Sequence, residues 1–145
     1  MNTGLSVFDA SVQDSNLWLK EIEGKLGGCQ RQEAYAALRA VFHALRDRLQ
    51  AQSSVNFAAQ LPMLLRGLFY EGWTLPDKPT RAHTLDDFAD AVREELPPRF
   101  RFDPITAARA VFSTIASFVS PGEAAKIKAQ LPIALRGLWP SGEMV

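Results

Sequence analysis

The chain has 145 residues, a length that fits one domain and is enough to bury a real core. Hydrophobic residues make up 47% and charged residues 22%, ordinary values for a globular protein that exclude a disordered chain. Lys plus Arg (16) equals Asp plus Glu (16), so no net charge pulls the chain towards nucleic acid or an anionic membrane.

Residues 1–13 read as an N-terminal extension. A first helix is expected to start near Ser15 and to carry Trp18, Ile22 and Leu26 on one face, since apolar residues four apart share a helix face. Gly27-Gly28 stops it. The second helix carries Tyr35, Leu38, Phe42, Leu45 and Leu49, a continuous apolar stripe. A third helix opens near Ser53-Ser54. Pro62 then interrupts the pattern and begins a short fourth helix, PMLLRGLFY, apolar almost all round and so expected to be buried. Gly67 inside it costs about 1 kcal/mol against alanine, which suggests a close approach of another helix. Residues 74–83, TLPDKPTRAH, read as a linker.

The order then repeats. Thr84 caps a helix with Asp87 in its first turn and Phe88, Val92 and Leu96 on one face, stopping before Pro97-Pro98. Asp103-Pro104 opens a helix with Ile105, Ala108, Phe112, Ile115 and Val119 as its stripe. Ser120-Pro121-Gly122-Glu123 is a capping box with proline at the first helical position. Pro132 starts PIALRGLWP, with Gly137 inside it.

Three blocks recur at one constant offset, without a gap: Arg39-Ala40-Val41-Phe42 as Arg109-Ala110-Val111-Phe112, Ala59-Gln60-Leu61-Pro62 as Ala129-Gln130-Leu131-Pro132, and Leu65-Arg66-Gly67-Leu68 as Leu135-Arg136-Gly137-Leu138. Self-similarity at a fixed period marks a repeat architecture. The expected fold is all-α: a compact bundle of about eight helices formed by two tandem four-helix repeats, at 14–73 and 84–145, in one domain overall. The two proline-started helices are expected in the shared core, packed on each other across a pseudo-twofold axis. No run alternates convincingly enough for a sheet.

The chemistry-bearing residues are few. Cys29 follows two glycines beside Arg31; a positive neighbour can activate a thiol, but the plainer reading is an incidental loop cysteine. His43 and His83 make no metal spacing. Asp86, Asp87, Asp90, Glu94 and Glu95 make an acidic helix, which reads first as a solvated face. Arg39, His43 and Arg46 share a flank of the second helix and could touch an anion. In the second copy Ser113 and Ala116 stand at the positions that match His43 and Arg46. No phosphate loop, catalytic triad or zinc motif is present in the sequence.

The polar residues kept in the matching blocks are Arg39 and Arg109, Gln60 and Gln130, Arg66 and Arg136. The plainer reading is structural: they satisfy helix C-terminal carbonyls or pair with acids. The sharper one makes the arginines anion-binding contacts near a central groove, with Phe69, Trp73 and Trp139 lining a pocket. No cofactor and no metal is implied. The single cysteine, the absence of a signal-like N-terminus in MNTGLSVFDASVQDS and the lack of any apolar run as long as a membrane span make the cytoplasm the expected compartment.

The blocks AYAALRAVFHALRDRL and AQLPMLLRGLFYEGW, followed by ARAVFS and AQLPIALRGLWP, resemble the uncharacterised bacterial family catalogued as domain of unknown function number 2267, over essentially the whole chain from about residue 14. The resemblance implies a helical, internally duplicated bacterial protein and brings no activity, cofactor or catalytic residue. The expected function is a non-enzymatic interaction or regulatory module, with another protein or a second copy of the chain as partner. The alternative is a small anionic-ligand-binding protein with a groove between the repeats. Nucleic acid and membrane are not expected partners.

Overall fold

The computed structural model of the chain describes residues 3–75 and 78–140. Among the described residues there are eight α-helices and no strand: α1 (Ser6–Lys25), α2 (Arg31–Arg48), α3 (Ala51–Ala58), α4 (Met63–Tyr70), α5 (Leu85–Glu95), α6 (Pro104–Phe118), α7 (Pro121–Gln130) and α8 (Ile133–Arg136).

Local chemistry sets most of the helix ends. The N–H groups of Gly27 and Gly28, both at positive φ, reach the Gly24 and Glu23 carbonyls at 3.1 and 2.8 Å, the Schellman closure of α1. Thr84 Oγ1 accepts from the Asp87 N–H at 3.0 Å, Asp103 Oδ2 from Ile105 at 3.0 Å, and Ser120 Oγ from Glu123 at 3.3 Å, so α5, α6 and α7 each start at the expected cap. The start of α1 differs from expectation. It lies at Ser6, not near Ser15, because SVFDASVQDS contains no breaker and the apolar spacing continues backwards through Val12 and Phe8. The third helix starts at Ala51, so Ser54 lies inside it, buried, with its hydroxyl donating to the Arg46 carbonyl at 3.2 Å.

Helices α2 and α6 hold the centre. Both α1 and α5 pack on them, α4 lies on α1 and α2, α8 lies on α5, and α3 meets α7. One continuous core results. Phe42 of α2 sits edge-on to Trp18, Phe57 and Phe69, with centroids 5.9, 6.0 and 5.4 Å away. On the other side Phe112 of α6 meets Phe88 and Trp139 at 5.9 and 5.3 Å. Edge-on aromatic pairs stabilise by about 0.5–1.5 kcal/mol beyond their area.

The fourth helices are not buried all round. In α4 only Leu65 and Phe69 are buried, whereas Met63 and Leu64 are more than half exposed, and in α8 Ile133 is 81% exposed. They lie on the outside of the bundle and not against each other in its centre, because two apolar residues four apart suffice to dock so short a helix and α2 and α6 already fill the core. The glycines follow. A Cβ built on Gly67 or Gly137 meets no atom within 4 Å, so no close helix approach explains either residue.

Candidate functional site

The polar residues of α2 meet acids that come from distant parts of the chain. His43 is 2% exposed; its Nδ1 lies 2.6 Å from Glu95 Oε1 and its Nε2 2.8 Å from the Leu68 carbonyl. Both partners are acceptors, and both ring nitrogens are engaged within the chain. The same Glu95 oxygen accepts from Arg39 Nη1 at 2.9 Å, and Arg39 Nε donates to Glu71 at 3.1 Å. Arg46, also buried, donates through Nη1 to the Phe69 and Glu71 carbonyls at 3.1 and 2.7 Å and through Nε to Asp47 at 2.8 Å.

This network closes helix ends. Leu68 and Phe69 belong to the last turn of α4, whose carbonyls have no partner within the helix. His43 and Arg46 supply those partners, and the Arg46 guanidinium places positive charge at a helix C-terminus, where it is favoured. The other arginines of the repeated blocks are placed in the same way. Arg66 Nε and Nη2 donate to the Ala58 and Leu61 carbonyls at 3.1 Å each, at the end of α3. Arg136 donates to the Leu131 and Ala129 carbonyls at 2.9 and 3.0 Å, at the end of α7. Arg109 donates to the Gly137 carbonyl at 2.8 Å, just past α8.

Phe69 and Trp139 pack in the core, and Trp73 packs on Tyr70. Phe69 is fully buried, packed on Phe57 and Phe42 at 5.2 and 5.4 Å. Trp139 is buried on Phe112. Trp73 stacks on Tyr70 at 5.6 Å, with its indole Nε1 buried and without a partner. Cys29 is half-buried; burial, then Glu33 and Glu23, push its thiol up from the ordinary value, so Arg31 does not activate it.

Two surface hollows stand out. A cleft of about 490 Å³ lies between α2, residues 78–82 and α5. Asp47, Asp87, Glu94 and Glu95 line it together with Lys78 and Arg81, a mixed-sign wall. No group of three or more His, Cys, Asp or Glu that could hold a metal occurs among the described residues. The second hollow, about 410 Å³, is a groove between α1, α2 and α4 with Val12, Leu19, Leu64 and Leu68 as its apolar wall and Ser15 and Gly67 beside them. None of the arginines and aromatics singled out from sequence lines it.

Sequence reasoning missed Glu71 and Glu95 as the partners of α2 and named Ser15 only as a helix start. Glu95 stood out only as part of an acidic helix, and nothing local says that α5 delivers it to Arg39 and His43, 56 and 52 residues away.

No helix among the described residues is long and apolar enough to cross a membrane. The family described as "Uncharacterized conserved protein (DUF2267)" matches residues 15–138, and the chain belongs to that family. A search of curated proteins finds no match.

Proposed function

We propose that this family member is a non-enzymatic binding module whose working surface is the apolar face where α1 and α4 meet, and that its partner is another protein. One observation carries the reading. The stripe of α1 runs on past the bundle, leaving Leu5, Val7 and Phe8 about half exposed, and Met63 and Leu64 of α4 are exposed to a similar degree. The Leu64 N–H donates to Ser11 Oγ at 2.9 Å, which joins the two helices into one face. Clustered exposed apolar side chains mark interaction sites more often than isolated ones do. The test is affinity capture from the native cell with the natural chain and with Phe8→Asp/Met63→Asp. Exposed positions change stability by about 0.5 kcal/mol or less, so the variant folds. A specific partner retained by the natural chain and lost by the variant is expected; identical capture profiles would sink the proposal.

The alternative, an anionic ligand held by Arg39, Arg66, Arg109 and Arg136, has less in its favour, because every one of those guanidiniums already donates within the chain. Soaking with sulfate or a phosphate ester that left these carbonyl bonds intact would remove it.

The tandem-repeat reading, 14–73 and 84–145 around the 74–83 linker, belongs to the same proposal. Its support is positional: α1 and α5 end at Lys25 and Glu95, α2 and α6 at Arg48 and Phe118, α3 and α7 begin at Ala51 and Pro121, and α4 and α8 at Met63 and Ile133, every pair at the offset that separates the sequence blocks. Family sequences in which that offset drifts freely would count against it. A bacterial cytoplasm is the proposed setting, consistent with an unpaired Cys29; finding the protein in an extracytoplasmic fraction would contradict it.

A further inference from the structure

We infer that the groove between α1, α2 and α4 is a binding site for a small, uncharged, mainly apolar molecule carrying one hydroxyl or carbonyl group, with Ser15 as its polar anchor. Three independent observations converge there. The first is size and lining. About 410 Å³ falls in the range of small-molecule sites, and the walls are mainly aliphatic, with Tyr35 among them and few polar groups. No cation lines it; of its polar groups, Asn16 Oδ1 accepts from Arg31 at 3.0 Å and the Glu71 carboxylate from Arg39, while the half-exposed Tyr35 also lines it. An anion therefore finds no cationic partner there.

The second is Ser15. It is 3% exposed, it lies against the groove, and its hydroxyl has no hydrogen-bond partner. Buried hydroxyls in helices ordinarily return to a backbone carbonyl, as Thr114 does to Ala110 at 2.8 Å and Ser54 to Arg46. Ser15 is the exception among these, and a ligand oxygen is the partner its position admits once the hydroxyl turns towards the groove. The third is Gly67. It interrupts α4 with nothing within 4 Å of where a side chain would begin. Within the chain it costs helix stability for no packing gain. In the groove wall, it is what keeps space for a ligand.

The test uses the full chain, titrated by NMR with octanol and, separately, with octane. Saturable amide shifts confined to α1, α2 and α4 are expected with octanol, with octane weaker. Gly67→Leu, which fills the groove from an open helical position, is expected to abolish binding, and Gly137→Leu, equally open but beside no such groove, to leave it unchanged. Ser15→Ala is expected to shrink the preference for octanol over octane by about tenfold, the worth of one hydrogen bond. Phe8→Asp/Met63→Asp leaves octanol binding intact, so this inference and the partner-docking proposal fail separately. No saturable binding, or binding indifferent to Gly67→Leu, overturns the site, and an unchanged preference in Ser15→Ala overturns the anchor. A natural chain that is dimeric, becomes monomeric on Gly67→Leu and binds no octanol would place a second copy in the groove instead and overturn the ligand.

Discussion

Replacing Gly67 by alanine is expected to stabilise the protein. Gly67 lies in the interior of α4, away from the positive-φ glycines, and an added Cβ meets no atom within 4 Å. No contact is lost and none is strained, so the effect is that of helix propensity and unfolded-chain entropy alone. Glycine is about 0.8–1 kcal/mol worse than alanine in a helix interior, and comparable replacements at compatible sites gain about 0.4–1 kcal/mol. A gain of about 0.5–1 kcal/mol raises the urea midpoint by about 0.3–0.5 M if the slope is about 2 kcal/mol per molar. It raises the melting temperature by about 2–4 °C. The assay is urea unfolding followed by far-UV circular dichroism, with the slope required to match the parent. A loss of about 1 kcal/mol or more would refute the reasoning, because it would mean that something in the chain presses on Gly67 after all. Gly137→Ala, at an αR C-cap with the same open space, serves as the replicate.

The opposite sign is expected at Gly72, whose φ of +74° strains any side chain: Gly72→Ala is expected to lower the urea midpoint by the equivalent of about 1 kcal/mol. Phe42→Ala removes the ring at the meeting point of three others and is expected to cost about 3–5 kcal/mol, read as a melting curve shifted far below the parent's. Glu95→Ala leaves Arg39 and the buried His43 without their shared acceptor and is expected to cost about 2–3 kcal/mol in urea unfolding. Glu71→Ala, at a more exposed pair, is expected to cost less than about 1 kcal/mol; equal costs would mean that Glu95 does not anchor the network. Arg101 donates to both oxygens of Glu33, at 2.7 Å each, and its hydrogen bonds hold that carboxyl below the ordinary 4.5. The depressed value means a contribution present above pH 4.5 and lost as the pH falls through the folded value. Glu33→Gln is therefore expected to flatten the acid limb of stability against pH and leave the neutral range less affected by acidification; an unchanged acid limb would exclude the linkage.

The helix ends were legible because they are local. Thr84, Asp103 and Ser120 each cap the helix that their sequence position announces, and Gly27-Gly28 closes α1 through two hydrogen bonds to its own last turn. The stripe of α2 was legible as well, apart from Tyr35, which is 45% exposed near its start. What failed was inference from composition to depth. PMLLRGLFY has too few polar residues to look amphipathic, yet α4 is a surface helix, because Leu65 and Phe69 take the inward positions and Met63, Leu64 and Gly67 are left outside. Burial depends on which faces neighbouring helices cover, and α2 and α6 had already claimed the centre. The site was the least legible part. Arg39 pairs with acids 32 and 56 residues away, and the site's emptiest feature, the unpartnered Ser15 hydroxyl, is defined by what surrounds it in space.

The distribution of these features points to one half of the molecule. The same arginine stands at 39 and at 109, but the residues at the same spacing from His43 and Arg46 are Ser113 and Ala116, so α4 has its C-terminal carbonyls closed by two buried polar side chains that have no equivalent at α8. The overhang of α1 has its counterpart in the segment before Thr84, which is not helical where described. Leu68 borders an open groove, whereas Leu138 is 1% exposed and the buried Trp139 follows it. Packing accounts for what the halves hold in common, since common stripes fill one core whether or not either half binds anything. It does not account for an unpaired buried hydroxyl or for a helix whose apolar face outruns the bundle. Both lie on the α1–α4 side, and a surface that carries costs without an internal return is where a ligand or partner is to be sought first.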